Sequence, residues 1–309
     1  MVILGDGERH SGVALASRLG VTRAAVSKAV GALADAPIQV SRKGYQLPAA
    51  FRPLDRARIL GFLAERGPAV DDVHILPEVD STNAYVLRSA GEGVVVCLAE
   101  RQSAGRGRRG RAWQATPYGS LLLSVGMTLQ GGGPALGVLS LAAGVAVQRA
   151  LRGLGVGDTA LKWPNDVLWQ ARKLAGLVVE MRGEPEALRV VLGVGLNVAV
   201  GPVTARAIDQ EWAELSALTP HVDRDRLAAA IVGEWLDVVA AYRAGAAAAL
   251  LEEWRTHHAF AGIAVRVHVA DAPAFVGIAE DVTSEGALLV NAGGARRVVR
   301  SGEVSVRPL

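Results

Sequence analysis

Between Arg101 and Arg111 the sequence reads RQSAGRGRRGR, with five arginines, three glycines and no acid. Guanidinium groups are almost never buried unpaired, so this charge faces water, a nucleic acid or the anionic part of a small ligand. Two other polar islands interrupt apolar runs. LKWPND puts Lys162, Asn165 and Asp166 in a tight proline turn, and RKLAGLVVE puts Lys173 at the start of a strand. Either lysine suits a phosphate or carboxylate, while Asp166 suits Mg²⁺ or an arginine. Taken singly, each lysine also reads as a solvated loop residue. With the arginine loop and the hydroxyls and amide of DSTN (Asp80–Asn83), they describe a site for a nucleotide beside a small polar ring.

The pattern G-x-G-x-x-G matches at Gly105, Gly107 and Gly110. A dinucleotide fingerprint must open a helix and be followed by an acid about 20 positions on. Here RAWQATPYGSLLLSV leads into a turn and a strand, with no acid near position 130. A P-loop is excluded as well, because Arg111 and Ala112 stand where Lys and Ser/Thr are needed. The segment reads instead as a clamp that folds over an anion, each arginine fork contributing about 1.5–3 kcal/mol when its partner is ionised. The sequence shows no convincing Ser/His/Asp or Cys/His set and no trustworthy metal spacing among its six histidines. His257 and His258 are expected to be exposed near a helix end.

The elements that position these residues fall into three parts. Residues 12–31, GVALASRLGVTRAAVSKAVG, have a helix–turn–helix rhythm. Ala16 permits close helix approach and Gly20 permits the turn. Thr22 is a natural N-cap for a second helix whose apolar stripe would be Val21, Val26, Val30 and Leu33. Its outward face would show Arg23, Ser27 and Lys28, types suited to phosphate and base edges. IQVSRKGYQL follows as a hairpin wing with Arg42 and Lys43 at its tip. A small structural three-helix bundle is the alternative, and the wing favours DNA.

LPAAFRPLD is a proline-punctuated linker that sets a boundary near residue 50. The region 51–260 is α/β, with strands at GVVVCLAE, SLLLSVGM, KLAGLVVEM and RVVLGVGLNV. Its helices are expected at 136–155, 223–244 and 246–260. The tail 261–309 carries short alternating strands joined by turn residues, as in a small barrel.

The chain has 309 residues, half of them hydrophobic and a fifth charged, which is the balance of a soluble globular protein. Its net charge of +3 is unevenly placed. Residues 1–48 hold six basic residues against three acids, so a polyanionic partner is expected for the N-terminal part. The single cysteine, Cys97, excludes an intrachain disulfide framework and reads as a buried strand residue. No apolar run reaches the roughly 18 residues needed to span a bilayer, and no signal-like N-terminus is present. A cytoplasmic protein with no membrane partner is expected.

In order and spacing, DSTN, RQSAGRGRRGRAW, KWPND, KLAGLVVE and GVGLN resemble the bacterial biotin protein ligases. The front part is similar to the bifunctional subclass, in which the ligase is also the biotin operon repressor. The tail is similar to that family's SH3-like barrel. The resemblance implies an α+β chain: a winged helix-turn-helix (1–50), a biotin/lipoate ligase-like catalytic domain (51–260) and an SH3-like C-terminal domain (261–309). It implies ATP, biotin and Mg²⁺ as cofactors, and the biotin carboxyl carrier protein of acetyl-CoA carboxylase as acceptor. It further implies operator DNA of biotin genes as a partner and a homodimer when biotinyl-5′-AMP is bound.

By the same resemblance, biotin is bound by Ser81, Thr82, Asn83, Gln102, Arg106, Gly107, Arg108, Lys173 and Gly176. ATP and the adenylate fall to Arg108, Arg111, Trp113, Lys162, Asn165, Asp166, Asn197 and Trp212, with Asp166 also facing Mg²⁺. Lys173, Arg108 and Lys162 would carry catalysis, Glu303 and Arg307 would support ATP or the acceptor, and Thr22, Arg23, Ser27, Lys28, Arg42 and Lys43 would meet DNA. Two other readings stand beside this one. They are a ligase whose helix–turn–helix does not regulate, and a ligand-sensing transcription factor without catalysis.

Overall fold

The structure is a computed structural model. It describes the chain apart from residues 1, 34, 37, 49–50, 68–69, 90–92, 131–135, 185–186, 220–221, 270–272 and 302–303. A 3₁₀ turn, Val2–Asp6, precedes α1 (Gly12–Leu19) and α2 (Arg23–Ala32). Ser11 Oγ accepts from Ala14 N to start α1, Gly20 ends it at φ 65°, and Thr22 Oγ1 accepts from Ala25 N to start α2. Val26 is buried, but Val21 lies before the cap and is 46% exposed, so the apolar stripe is shorter than expected. β1 (Gln39–Ser41) and β2 (Gly44–Gln46) form the hairpin, with Arg42 and Lys43 in its turn. Leu4, Leu15, Val26, Leu47 and Phe51 share a small core with Ala199 from the central region.

After α3 (Arg56–Arg66) come β3 (Asp72–Leu76), α4 (Thr82–Arg88), β4 (Val95–Ala99), β5 (Ser120–Gln130) and α5 (Leu136–Gly153). Next are β6 (Thr159–Lys162), β7 (Asp166–Trp169), β8 (Arg172–Glu184), β9 (Ala187–Asn197), α6 (Pro202–Ala207), α7 (Arg224–Arg243) and α8 (Ala247–Thr256). The strands make one seven-stranded sheet in the order β3-β4-β5-β9-β8-β7-β6, parallel only between β3 and β4. Alternation along β4 divides the two faces. Val96 and Leu98 enter the large core with α3, α5, α7 and α8, whereas Cys97 packs with Val86 of α4 on the opposite face. Burial pushes the Cys97 thiol up to about 12. Helices α3, α5, α7 and α8 pack on one face, which leaves the other for α4 and a cleft.

β10 (Ala264–Val269), β11 (Phe275–Val282), β12 (Leu288–Ala292), β13 (Ala295–Val299) and β14 (Val304–Pro308) form an antiparallel sheet in the order β13-β12-β11-β10-β14. Among the described residues β13 and β14 are its two edges and do not pair, so the expected barrel is an open sheet. It is docked on the central region. Leu161 N donates to His257 O (2.7 Å), Ala259 N donates to Leu161 O (2.9 Å), and Trp163 Nε1 donates to Gly286 O (3.0 Å). This docking corrects the expectation of exposed histidines. His258 packs on Trp254 with ring centroids 4.5 Å apart, and burial pulls its pKa down to about 4. Among the described residues no helix is long and apolar enough to cross a membrane.

Candidate active site

Ser81 caps α4, its Oγ accepting from Ala84 N, and this holds the DSTN turn at the open face of the sheet. Asp80 fixes the turn from outside. It takes both nitrogens of Arg88 (2.8 and 2.9 Å) and accepts from Ser81 N, and chiefly the Arg88 bonds draw its pKa down to about 2. Thr82 donates to Gln102 Oε1 from both its backbone N (2.7 Å) and its hydroxyl (3.0 Å). That leaves Gln102 its amide NH₂ to offer a ligand. Asn83 is occupied at both ends. Its Nδ2 donates to Glu180 Oε2 (2.7 Å), and Ser124 Oγ lies 2.6 Å from its Oδ1 and 2.7 Å from Thr82 Oγ1. Asn83, expected as a ligand contact, lines the cleft and is braced there by these bonds.

The arginine loop folds back on itself. Gly107 N donates to Arg111 O (2.7 Å) and Trp113 N to Gly105 O (3.0 Å), with Arg106 bridged to Ala112 and a 3₁₀ turn at Arg108–Gly110. Gly110 needs its glycine, having φ 68°. Trp113 then lies across β8 and β9, where a Cβ on Gly195 would overlap its ring and one on Gly176 would crowd both the ring and Lys173. Its Nε1 is buried without a partner among the described residues.

Lys173 Nζ lies 2.8 Å from Asp166 Oδ1 and 5.4 Å from the Trp113 ring centre. Lys162, across the cis Trp163–Pro164 turn, stands 3.8 Å from Asp166 Oδ2. Within the protein Asp166 therefore faces two lysines. Burial lowers the Lys162 pKa, and Lys173, Arg307 and Arg111 lower it further against the opposing effect of Asp166. Asn165 Nδ2 donates to Leu177 O (2.6 Å) and sets the turn on β8. Asn197, expected at the nucleotide, lines the cleft at 2% exposure; its Nδ2 donates to Lys173 O and Ala213 O (3.4 and 3.2 Å), and its Oδ1 has no partner among the described residues. Lys173 N donates to Glu211 O and Ala213 N to Lys173 O, which seats Trp212 alongside Lys173.

One cavity of about 490 Å³ gathers these groups. It is lined by Ser81, Thr82, Asn83, Gln102, Arg106, Gly107, Arg108, Arg111, Trp113, Lys162, Asn165, Asp166, Lys173, Gly176, Asn197, Trp212 and Arg307. Among the sequence-picked cleft residues, Glu303 lies outside the described residues. Among the described residues six cations line the cleft (Arg106, Arg108, Arg111, Lys162, Lys173 and Arg307) against the carboxylates of Asp166 and Asp209. Such a field holds anions together and can neutralise charge as they react. Thr22, Arg23, Ser27, Lys28, Arg42 and Lys43 are all exposed and belong to the N-terminal segment, away from this cleft. Sequence reasoning missed Ser124, Glu180 and Gly193. A serine inside the apolar run SLLLSVGM was the available signal for the first. Gly193, paired with Ser124 across the sheet, has no room for a Cβ beside Asn83 Oδ1.

Residues 76–197 match the Biotin/lipoate A/B protein ligase family, and residues 260–307 match the Biotin protein ligase C terminal domain. The chain is 37% identical to the bifunctional ligase/repressor BirA of Escherichia coli (strain K12), over 99% of this chain and 96% of that protein. It is 36% identical to the biotin--[acetyl-CoA-carboxylase] ligase of Mycobacterium tuberculosis, over 82% of this chain and 95% of that protein. Its fold is similar to the biotin protein ligase from Aquifex aeolicus in complex with biotin and ATP. The TM-score is 0.66 at 24% identity, over 77% of this chain and 100% of the other.

Proposed function

Since the chain belongs to the biotin protein ligase family, we propose that it condenses biotin with ATP to biotinyl-5′-AMP and pyrophosphate. It then transfers biotin to a lysine of the biotin carboxyl carrier protein of acetyl-CoA carboxylase. In the first step the biotin carboxylate attacks the α-phosphorus and pyrophosphate leaves. In the second, the acceptor amine attacks the mixed anhydride and AMP leaves. The observation that carries this reading is the cleft in which, among the described residues, six cations face a turn of hydroxyls and an amide.

Neither step needs a covalent nucleophile from the protein. The first brings two anions together, so catalysis consists of neutralisation and in-line positioning. Ser81, Thr82 and Asn83 meet the ureido ring together with Gln102, which Thr82 also holds in place. Arg106, Gly107 and Arg108 close on the carboxylate and α-phosphate. Lys173 and Lys162 meet the reacting and phosphate oxygens, and Arg111 adds to the same field. Trp113, Trp212, Asn165 and Asn197 flank the nucleotide, and Gly176 lies on the biotin side, where it gives Lys173 and Trp113 room. Arg307 enters from the C-terminal sheet, and Glu303 belongs to the same proposed set. Closing the glycine-bearing loop also excludes water from a labile anhydride.

Among the described residues no cluster of three or more His, Cys, Asp or Glu could hold a metal. Asp166 offers the cleft one carboxylate, which fits Mg²⁺ carried mainly on substrate phosphates. The metal would neutralise phosphate charge there.

The N-terminal segment is proposed as a winged helix-turn-helix (1–50), followed by a catalytic domain (51–260) and a C-terminal domain of SH3-like kind (261–309). Thr22, Arg23, Ser27, Lys28, Arg42 and Lys43 would place it on operator DNA of biotin genes. Adenylate-driven homodimers would supply the paired half-sites that a palindromic operator requires. The setting is the cytoplasm. The test is to incubate the protein with biotin, MgATP and carrier protein, and to assay binding to the biotin-gene promoter with and without biotin plus MgATP. Biotinylated carrier with adenylate-dependent promoter binding supports the whole reading. Biotinylation without promoter binding reduces it to a ligase alone, and promoter binding without biotinylation to a sensor.

A further inference from the structure

We propose that Asp35, in the N-terminal segment, is a positioning residue for the nucleotide half of the cleft. Nucleotide affinity is then linked to how that segment is seated. The inference rests on the ligase reading above. Asp35 Oδ1 accepts from Val203 N (2.9 Å) and Thr204 N (3.0 Å), and its Oδ2 accepts from the Thr204 hydroxyl. These are first-turn groups of α6, whose own N-cap, Gly201, supplies no side-chain bond. A Cβ on Gly201 would overlap Asp35, so the two segments meet closely. Thr204 is buried at 6% exposure, and its hydroxyl would be left there without this partner.

What α6 carries makes the contact matter. The chain leaves it at Ala207 and runs through Ile208, Asp209, Gln210 and Trp212 along the cleft wall. It then bonds to Lys173 on both sides of that residue's backbone, as described above. A short helix nucleates poorly alone, so a carboxylate from another part of the chain fixes where this wall begins. A second contact holds the other rim against the same segment. Tyr118, just beyond the arginine loop, packs on the small core of Leu4, Leu15, Leu47 and Phe51, and Gly201 N donates to Thr116 Oγ1 (2.8 Å). Both loops that frame a nucleotide therefore lean on the N-terminal segment. A nucleotide that orders residues 207–212 would tighten the Asp35 contact, and by reciprocity the contact favours the nucleotide.

The experiment compares the full chain with Asp35→Ala, Asp35→Asn and Thr204→Val. It measures the Kd for biotin alone and for α,β-methylene-ATP, whose α–β bridge cannot be cleaved. Losing the cap in Asp35→Ala is expected to weaken the nucleotide about five- to tenfold, with biotin within about twofold. Asp35→Asn keeps an acceptor for the two amides and recovers most of the loss. Thr204→Val gives a smaller shift in the same direction and serves if Asp35→Ala does not fold. Unchanged nucleotide affinity overturns the proposal, and so does equal weakening of both ligands. An Asn variant that folds yet is as defective as Ala overturns it too. If the wild type fails to release pyrophosphate from ATP and biotin, the ligase reading itself is wrong.

Discussion

Lys173 Nζ and Asp166 Oδ1 are 2.8 Å apart, with both side chains less than one-fifth exposed. The ammonium is thus already aimed along β8 into the cleft before any anion arrives, and a ligand's oxygens compete with one carboxylate. We expect Lys173→Ala to lower pyrophosphate release by about 10²–10³, the usual loss for one preorganised charge donor. The melting transition should barely move, because Asp166 keeps Lys162 nearby. Near-normal pyrophosphate release from a folded variant would remove Lys173 from the chemistry.

Arg108 lies at the tip of the arginine hairpin, on the cleft wall. Arg108→Gly should shorten the lifetime of the bound adenylate about 10- to 100-fold, in keeping with one or two charge-assisted bonds. The escaped anhydride would then biotinylate bystander lysines, read as label on serum albumin in the same tube. Tight retention of adenylate by the variant would argue that the loop is not the clamp.

Arg42 and Lys43 project from the hairpin turn and touch nothing in the cleft. Lys43→Ala should weaken promoter binding and reduce the slope of log K against log salt by about 1. Carrier biotinylation should be unaltered. A salt slope equal to that of the wild type would mean the hairpin does not meet phosphate.

His258 has its pKa pulled from 6.5 down to about 4 by burial. Between those values the unfolded chain binds a proton that the folded one refuses. Stability is therefore full above pH 6.5 and falls as pH drops toward 4, by on the order of 3 kcal/mol at most. In His258→Gln the acid limb of a stability–pH curve should flatten over this window. Parallel curves for the two proteins would show that His258 does not titrate against burial.

What the sequence disclosed followed from how strongly each residue type restricts its surroundings. Five arginines among glycines have no place in a core, so the loop and its anion were legible. The short apolar runs around Cys97 and Leu123 read as buried strands. Braces were not legible, because their meaning lies in the partner: Ser124 and Glu180 act through Asn83, and nothing local links Asp35 to Thr204. Val21 was misassigned because the Thr22 cap places it outside the helix. His258 was misassigned because its cover comes from Trp254 and from the docked tail. Alternation revealed the C-terminal strands, but it does not say which edges pair, and β14 chose β10.

The parallel bridging of residues 257–259 with Leu161, together with the Trp163–Gly286 bond, has a practical corollary for anyone cutting the gene. Composition changes near residue 260, yet the molecule does not come apart there. A chain stopped at that point would strand the indole N–H of Trp163, a side chain only 1% exposed, without its acceptor. It would also remove Arg307 from the cleft. Such a fragment would be prone to self-association and poor at handling ATP, and its failure would say nothing about whether the tail touches the acceptor protein.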